Sequence, residues 1–317
     1  MFKRSLNRTP QELKIAVSPT VASIAPRERT LGQEVLYKFL HNRQALFGSV
    51  VLLIIVLSVL IGPFIYSTPI NKIDFSLSSH PPTWDHPFGT NDLGQDILAR
   101  LLYGGRISIA VGIFSMSVAM LLGTFIGAIS GFYGGLLDMI LMRFTDLCLA
   151  LPRLPLLLLV IFLFRDSMKA IIGQELGIFL LIVFIIGGLN WMTVARLVRS
   201  GFLTVREMEF VTAARALGAS PRRLIWIHIL PNVISPVLVA ATLSVGNAII
   251  TESTLSFFGL GFPPDIPTWG RMLYDGQNFL EFAPYMVLFP GTAIFLTVLS
   301  INYIGDGLRD ALDPKLG

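Results

Sequence analysis

Side chains able to do chemistry are sparse in this 317-residue sequence, and their spacing rules out the common reactions. Cys148 is the one cysteine, which excludes an intrachain disulfide framework and any cysteine-rich metal centre. His80 and His86 could ligate a metal such as nickel, but two ligands with no others beside them make a weak site. Neither His-Glu-x-x-His nor Gly-x-Ser-x-Gly occurs, so catalytic groupings of those kinds are missing. A P-loop needs Gly-x4-Gly-Lys-[Ser/Thr] to hold phosphates, and the sequence has no Gly-Lys dipeptide, so it does not bind ATP in that way. Three polar features remain inside apolar stretches. Arg153 sits between Pro152 and Pro155, prolines that free backbone carbonyls and kink a helix. A charge in such a place is often functional, although an arginine that snorkels or pairs with an acid leaves the same pattern. Glu252 reads as a structural hydrogen-bond partner rather than a substrate ligand. Asp138, Arg143 and Asp146 read as a charged helix end, where Arg143 and Asp146 (i, i+3) can simply pair.

The most informative segment runs from Val205 to Asn232, VREMEFVTAARALGASPRRLIWIHILPN. Val205, Met208, Val211, Ala214 and Leu217 fall near helical spacing and predict a short helix with one apolar face. Gly218 supplies the stop, because the left-handed residue that closes a helix is most easily glycine. Ser220 followed by Pro221 predicts a fresh N-cap with proline at the first helical position, and a second helix that meets Pro231. Helix–glycine–helix imitates a DNA-binding helix-turn-helix. That reading fails on the second helix, where Leu224, Ile225, Trp226, Ile227, Ile229 and Leu230 leave few polar groups to read base edges. A structured loop with no partner is the plainest alternative. The stronger reading is a docking element for another protein: alanine and glycine allow close approach, and Glu209, Arg215, Arg222 and Arg223 can form a polar rim.

The elements that hold these residues are membrane helices. Hydrophobic residues make up 53% and charged residues 14%, with a mean hydropathy of +0.70. A soluble domain carries roughly 25% charge, so this chain belongs in a bilayer. A bilayer core of about 30 Å needs about 20 apolar residues at about 1.5 Å each. Uncharged stretches of that length lie between Arg43 and Lys72, Arg106 and Asp138, Glu175 and Arg196, Arg223 and Glu252, and Glu281 and Asp306. The charged but strongly apolar region around Arg153 makes a sixth. The predicted fold is all-α, a polytopic protein with spans near 46–66, 106–131, 138–164, 176–197, 233–255 and 284–305, behind a polar tail, 1–45. The tail is read as flexible up to about Gly32, with a short amphipathic helix over Glu34–Leu40 that could lie on the membrane surface. No cleavable signal peptide stands in the usual place.

The net charge of +4 is a topology signal rather than a nucleic-acid footprint. Basic residues crowd the tail (Lys3 to Arg43) and the loop between spans four and five (Arg196 to Arg223), two regions an even number of spans apart. Both are expected in the cytoplasm, with Ser67–Tyr103 and Phe257–Glu281 outside. Trp84, Trp269 and Tyr274 then read as interfacial anchors, with contact to an external protein a second role for Trp269-Gly270.

At this point the residues resemble a family. Ala213, Ala214, Gly218, Leu230 and Pro231 match the EAA loop of binding-protein-dependent ABC importer permeases, whose pattern is Glu-Ala-Ala, three residues, Gly, nine residues, Ile-x-Leu-Pro. Thr212 stands where the first Glu is expected and His228 where the Ile is; Glu209, one turn earlier, could substitute for the glutamate. HPFGTNDLGQDILARLLYGGRISIAVG (His86 to Gly112), SGFYGGLLDMILMRFTDLCLALP (Ser130 to Pro152) and TESTLSFFGLGFPPDIPTWGRML (Thr251 to Leu273) are similar to the dipeptide/oligopeptide/nickel group, in its second, C-type subunit.

The resemblance implies a type I importer fold of the MetI kind in a bacterial or archaeal inner membrane. It implies half of a heterodimeric pore with a homologous permease, two cytoplasmic ABC ATPases, an extracytoplasmic solute-binding protein, and no cofactor or catalysis of its own. Within the coupling loop, about 205–231, Glu209, Ala213, Ala214, Arg215, Gly218 and Pro231 would contact the ATPase. Arg153 and Pro152 are the candidate pore-lining residues. The rival from another class is an ion-coupled secondary transporter, which usually carries intramembrane carboxylates and repeated halves with broken helices. Here the acids sit near span ends and the halves do not match.

Overall fold

The computed structural model describes residues 31–312. Within them the chain is helical, and the only β pairing is an isolated bridge between Thr90 and Asp96. Helix α1, Leu31–His41, leads through Asn42 into α2, Arg43–Ile65, and the Asn42 side chain caps α2 by accepting from the Gln44 and Ala45 amides. Helix α3, Ile97–Tyr133, is 37 residues long, about 55 Å. Next come α4 (Gly135–Ala150), α5 (Arg153–Ile172), α6 (Gln174–Gly188) and α7 (Trp191–Arg206). The short α8 (Glu209–Ala216) precedes α9, a continuous helix Pro221–Phe257 with a π-helical turn at Leu224–Ile229. Helix α10 (Trp269–Gly276) and α11 (Tyr285–Leu312) complete the described chain.

Among the described residues, four helices are long and apolar enough to cross a membrane unbroken: α2, α3, α9 and α11. The pairs α4 with α5 and α6 with α7 pass only together, bent by 86° and 40° at their breaks. Six spans result when each bent pair is one crossing, and the expected third and fourth spans are the broken ones. The 86° bend falls at Leu151-Pro152, where proline 152 has no amide to donate and proline 155 follows within the next turn. Helix α1 covers the short helix expected over Glu34–Leu40, and α2 starts at Arg43, just ahead of the expected first span; the rest of the tail lies outside the described residues.

Helix α3 is the centre of the bundle and touches α2, α4, α6, α7, α9 and α10. Its closest seam is with α7, along Gly123, Gly127 and Gly131. A Cβ at these positions would meet Val194 at 2.5 Å, the Ala195 carbonyl oxygen at 2.5 Å and Phe202 Cβ at 2.5 Å, respectively. Only glycine lets the two backbones approach so closely, which is how helices associate where lipid removes the hydrophobic driving force. Above the bundle, residues 66–96 and 258–284 form a polar cap around the buried Arg100, whose guanidinium donates to the carbonyls of Ile70 (3.1 Å) and Pro264 (3.0 Å) and to Asn71 Oδ1 (3.2 Å). Asp96 caps α3 through the Ala99 amide at 2.7 Å and accepts from the Tyr66 hydroxyl at 2.7 Å. Burial, with Asp96 beside it, pushes the Tyr66 hydroxyl up to about 12, so it stays a donor.

Candidate functional site

Helix α8 stands at the junction of three helices. Val211 is its one fully buried residue, packed with Val205 of α7 and with Leu224, Ile225, Ile229 and Val233 at the start of α9. Glu209 in the first turn and Arg215 in the last match the helix dipole. Gly218 closes the helix at φ +84°, and the Gly218 amide donates to the Arg215 carbonyl at 3.0 Å. Ser220 Oγ accepts from the Arg223 amide at 3.4 Å and Pro221 opens α9, so the expected stop and restart are both present. Glu209, Ala213, Arg215 and Gly218 are exposed and Ala214 is half-buried. No atom lies within 4 Å of a Cβ built on Gly218, so the surface there is open.

Two details differ from expectation. The apolar positions do not form one buried face: Val205 belongs to α7, Met208 is exposed ahead of the helix, and Leu217 is 90% exposed. An outward apolar rim of Met208, Phe210 and Leu217 results. Pro231 does not end the second helix either; it lies exposed in α9 just past the π turn, which accommodates the missing donor without breaking the helix.

Ion pairs and arginine–carbonyl bonds join α3, α4 and α7 on the side of the bundle that carries α8. Asp138 takes both Arg199 Nε and Arg199 Nη2, the latter at 2.6 Å, and also accepts from Ser130. Arg196 pairs with Asp146, so Asp146 does not pair with Arg143 as its spacing suggested. Arg206 donates to the carbonyls of Gly131 (3.2 Å) and Phe132 (3.1 Å) at the end of α3. Helix α7, which leads directly into α8, is therefore bound to α3 by glycine packing along its length and by Arg206 at its tip, and to α4 by Arg196 and Arg199.

Arg153 is exposed at the start of α5, and its Nη2 donates to Asn190 Oδ1 at 2.7 Å. Asn190 is the residue at which α6 and α7 break. Pro152 is exposed beside it. Glu252 is fully buried, accepts from Ser256 Oγ at 2.7 Å, and has Ser108, Ser253 and Thr268 around it, with its Oε2 left without a hydrogen-bond partner. The histidine pair has no metal geometry: His86 Nδ1 lies 2.7 Å from Asp96, His80 Nδ1 faces the Pro81 carbonyl, and no metal-binding cluster occurs among the described residues. Trp269 is not a surface residue; it is 1% exposed and its indole N–H donates to the Leu101 carbonyl at 3.0 Å. Trp84 is fully exposed in the loop between α2 and α3. Gly123, Gly127, Gly131 and Asn190 are not among the residues singled out from sequence. The glycines carried a signal, a Gly-x-x-x-Gly-x-x-x-Gly repeat in an apolar span.

Comparison with known proteins agrees with this arrangement. The family model described as "Binding-protein-dependent transport system inner membrane component" matches residues 123–317, and one described as "N-terminal TM domain of oligopeptide transport permease C" matches residues 30–82. The dipeptide transport system permease protein DppC of Alkalihalophilus pseudofirmus is 39% identical over 90% of each chain. The oligopeptide transport system permease protein OppC of Bacillus subtilis is 37% identical over 92% of each. The glutathione transport system permease protein GsiD of Pectobacterium atrosepticum is 37% identical over 91% of this chain and 92% of its own. Among solved structures, the inward-facing MetNI methionine ABC transporter superposes with a TM-score of 0.52 at 17% identity, over 68% of this chain and 97% of that one, which shows the MetI-like fold. The all-α chain, with its bundle of apolar helices and its exposed Ala-Ala-x3-Gly loop, belongs to the family of binding-protein-dependent transport system inner membrane components.

Proposed function

We propose that this chain is the C-type permease subunit of an ATP-driven peptide importer. It forms half of the translocation pore, with a homologous permease as the other half, and draws energy from two cytoplasmic ABC ATPases. An extracytoplasmic solute-binding protein supplies the substrate. Relatives named for dipeptide, oligopeptide and glutathione transport support the peptide class. Both termini and α8 face the cytoplasm, as the basic residues on these segments favour. The chain itself hydrolyses nothing; ATP chemistry belongs to its partners.

One observation carries the coupling role. The open surface at Ala213, Gly218 and Leu217 leads directly back to α7, and α7 is held to α3 by the glycine seam and by Arg206. A push on α8 is carried into the centre of the bundle rather than absorbed by a loose loop. Glu209 and Arg215 border that surface, while Pro231 sits farther along α9 and acts on its geometry. The experiment is purification from native membranes followed by identification of copurifying subunits and peptide uptake in vesicles. A nucleotide-hydrolysing partner that comes with the permease supports the reading, and ATP-independent uptake driven by an ion gradient contradicts it.

A further inference from the structure

Two breaks in the bundle meet at one depth. Gly187, just before the α6–α7 break, packs at the Ser115 carbonyl, and Gly123 packs at the Trp191 carbonyl just after it. Asn190 therefore lies level with α3 residues 115–123, the middle of Ile97–Tyr133. Arg153, hydrogen-bonded to Asn190 at 2.7 Å, places the α4–α5 break at the same mid-membrane level. Irregular backbone at that depth is tolerated where it is packed in protein or lines a water-filled cavity. The guanidinium is exposed, and among the described residues its hydrogen-bond partner is a neutral amide, with no carboxylate in an ion pair with it. A positive charge without a counter-charge at mid-bilayer is unfavourable by roughly 2.5–3.5 kcal/mol on insertion scales, and such residues mark substrate pathways.

We infer that Arg153 is a transit site for the carboxylate of the passing peptide, with Asn190 holding the guanidinium ready between passages. This inference rests on the reading of the chain as half of a peptide pore. A terminal carboxylate is the anionic group that peptides of every sequence share, and it matches the planar donor fork of arginine in a two-bond contact. Asn190 suits the resting role because a neutral amide gives way to a carboxylate, where an aspartate would hold the guanidinium fast. The site is weak by design of its partners: one charge binds the peptide long enough to enter and lets it leave.

The test uses the complete importer in proteoliposomes, with peptide uptake and ATP hydrolysis stimulated by loaded binding protein measured together. Arg153→Gln should lower uptake by about tenfold or more, the loss of one charge-assisted contact, while stimulated hydrolysis stays near wild type. Arg153→Lys keeps the charge and should restore uptake to within a few-fold of wild type. Uptake and hydrolysis that fall together, or a glutamine variant that transports normally, overturn the carboxylate role. A separate measurement isolates the pore reading and keeps the guanidinium in place: Pro152→Cys, at the exposed neighbour of Arg153, on a Cys148→Ser background, probed with a charged, membrane-impermeant thiol reagent in the assembled importer. Labelling that free-acid peptide slows supports the inference, and labelling that peptide leaves unchanged overturns the carboxylate site while the pore reading stands. No labelling, with loss of the partner permease from the glutamine variant, means that Arg153 faces a subunit interface, and both then fall.

Discussion

Replacing Gly127 by alanine adds one methyl group to the tightest seam of the bundle. That Cβ would stand 2.5 Å from the Ala195 carbonyl oxygen and 2.8 Å from Val198 Cβ. Favourable carbon contacts lie at about 3.5–4.0 Å, so α3 and α7 must part. A gap of about 0.5–1 Å forfeits a quarter to a half of each contact along the seam. Overpacking of this kind costs about 1–3 kcal/mol, against a gain of about 1 kcal/mol from alanine's better helix propensity. The expected net loss is up to about 2 kcal/mol. Gly246, in the middle of α9, is the control, because its added Cβ would meet Ile301 and Val298 at 3.6 Å, an ordinary contact. There the same substitution should stabilise by up to about 1 kcal/mol. Unfolding of the purified protein in mixed micelles, followed by tryptophan fluorescence against rising SDS, reads both. Midpoints that move in the same direction, or a Gly127→Ala protein as stable as wild type, would refute the packing argument.

Gly218→Glu should abolish uptake and weaken ATPase copurification while the subunit still inserts with its partner: the added side chain meets open space, and the φ of +84° costs roughly 1 kcal/mol. Asp138→Asn should cost about 1 kcal/mol, because the pair with Arg199 is partly exposed, and exchanging the two residues should recover part of the loss in a double-mutant measurement. Asp74 is held below the usual carboxylate range by the Ser76 hydroxyl and then the Ser76 amide. Its contribution is present above the unfolded value near 4 and is lost as pH falls through the lower folded value, so Asp74→Ala should change the unfolding midpoint at neutral pH and leave it unchanged in strong acid. A reporter active only outside the cell, fused after Gly317, should stay silent; activity there means that one of the two bent pairs is not a full crossing.

What the sequence made legible follows from how local each signal is. Five spans show as uncharged runs because the bilayer filters for them residue by residue. The cap at Ser220-Pro221 and the stop at Gly218 are set by the backbone preferences of those residues alone, and both appear where expected. Pairings across the bundle are not local. Arg143–Asp146 satisfied the spacing rule, yet Asp146 is taken by Arg196 fifty positions away, once α7 is drawn against α3. Trp269 reads as an interfacial anchor because it stands in a loop expected outside, next to a span, but the loop folds down and buries it against Leu101. Leu217 matched the helical period, yet the turn at Gly218 leaves it facing outward. The proline at 152 announced a kink, while its size and its meeting with the break at Asn190 depend on two helices that the sequence treats separately.

Capture at Leu217 tests the coupling role of α8. A photo-reactive amino acid at this 90% exposed position, with a second at the fully exposed Trp84 of the outer loop, probes the two faces of the subunit in the assembled importer. The account predicts that the Leu217 probe captures the ATPase subunit and that the capture changes with bound nucleotide, while the Trp84 probe never captures it. An ATPase adduct from Trp84, or none from Leu217 in a complex that hydrolyses ATP, would contradict the account.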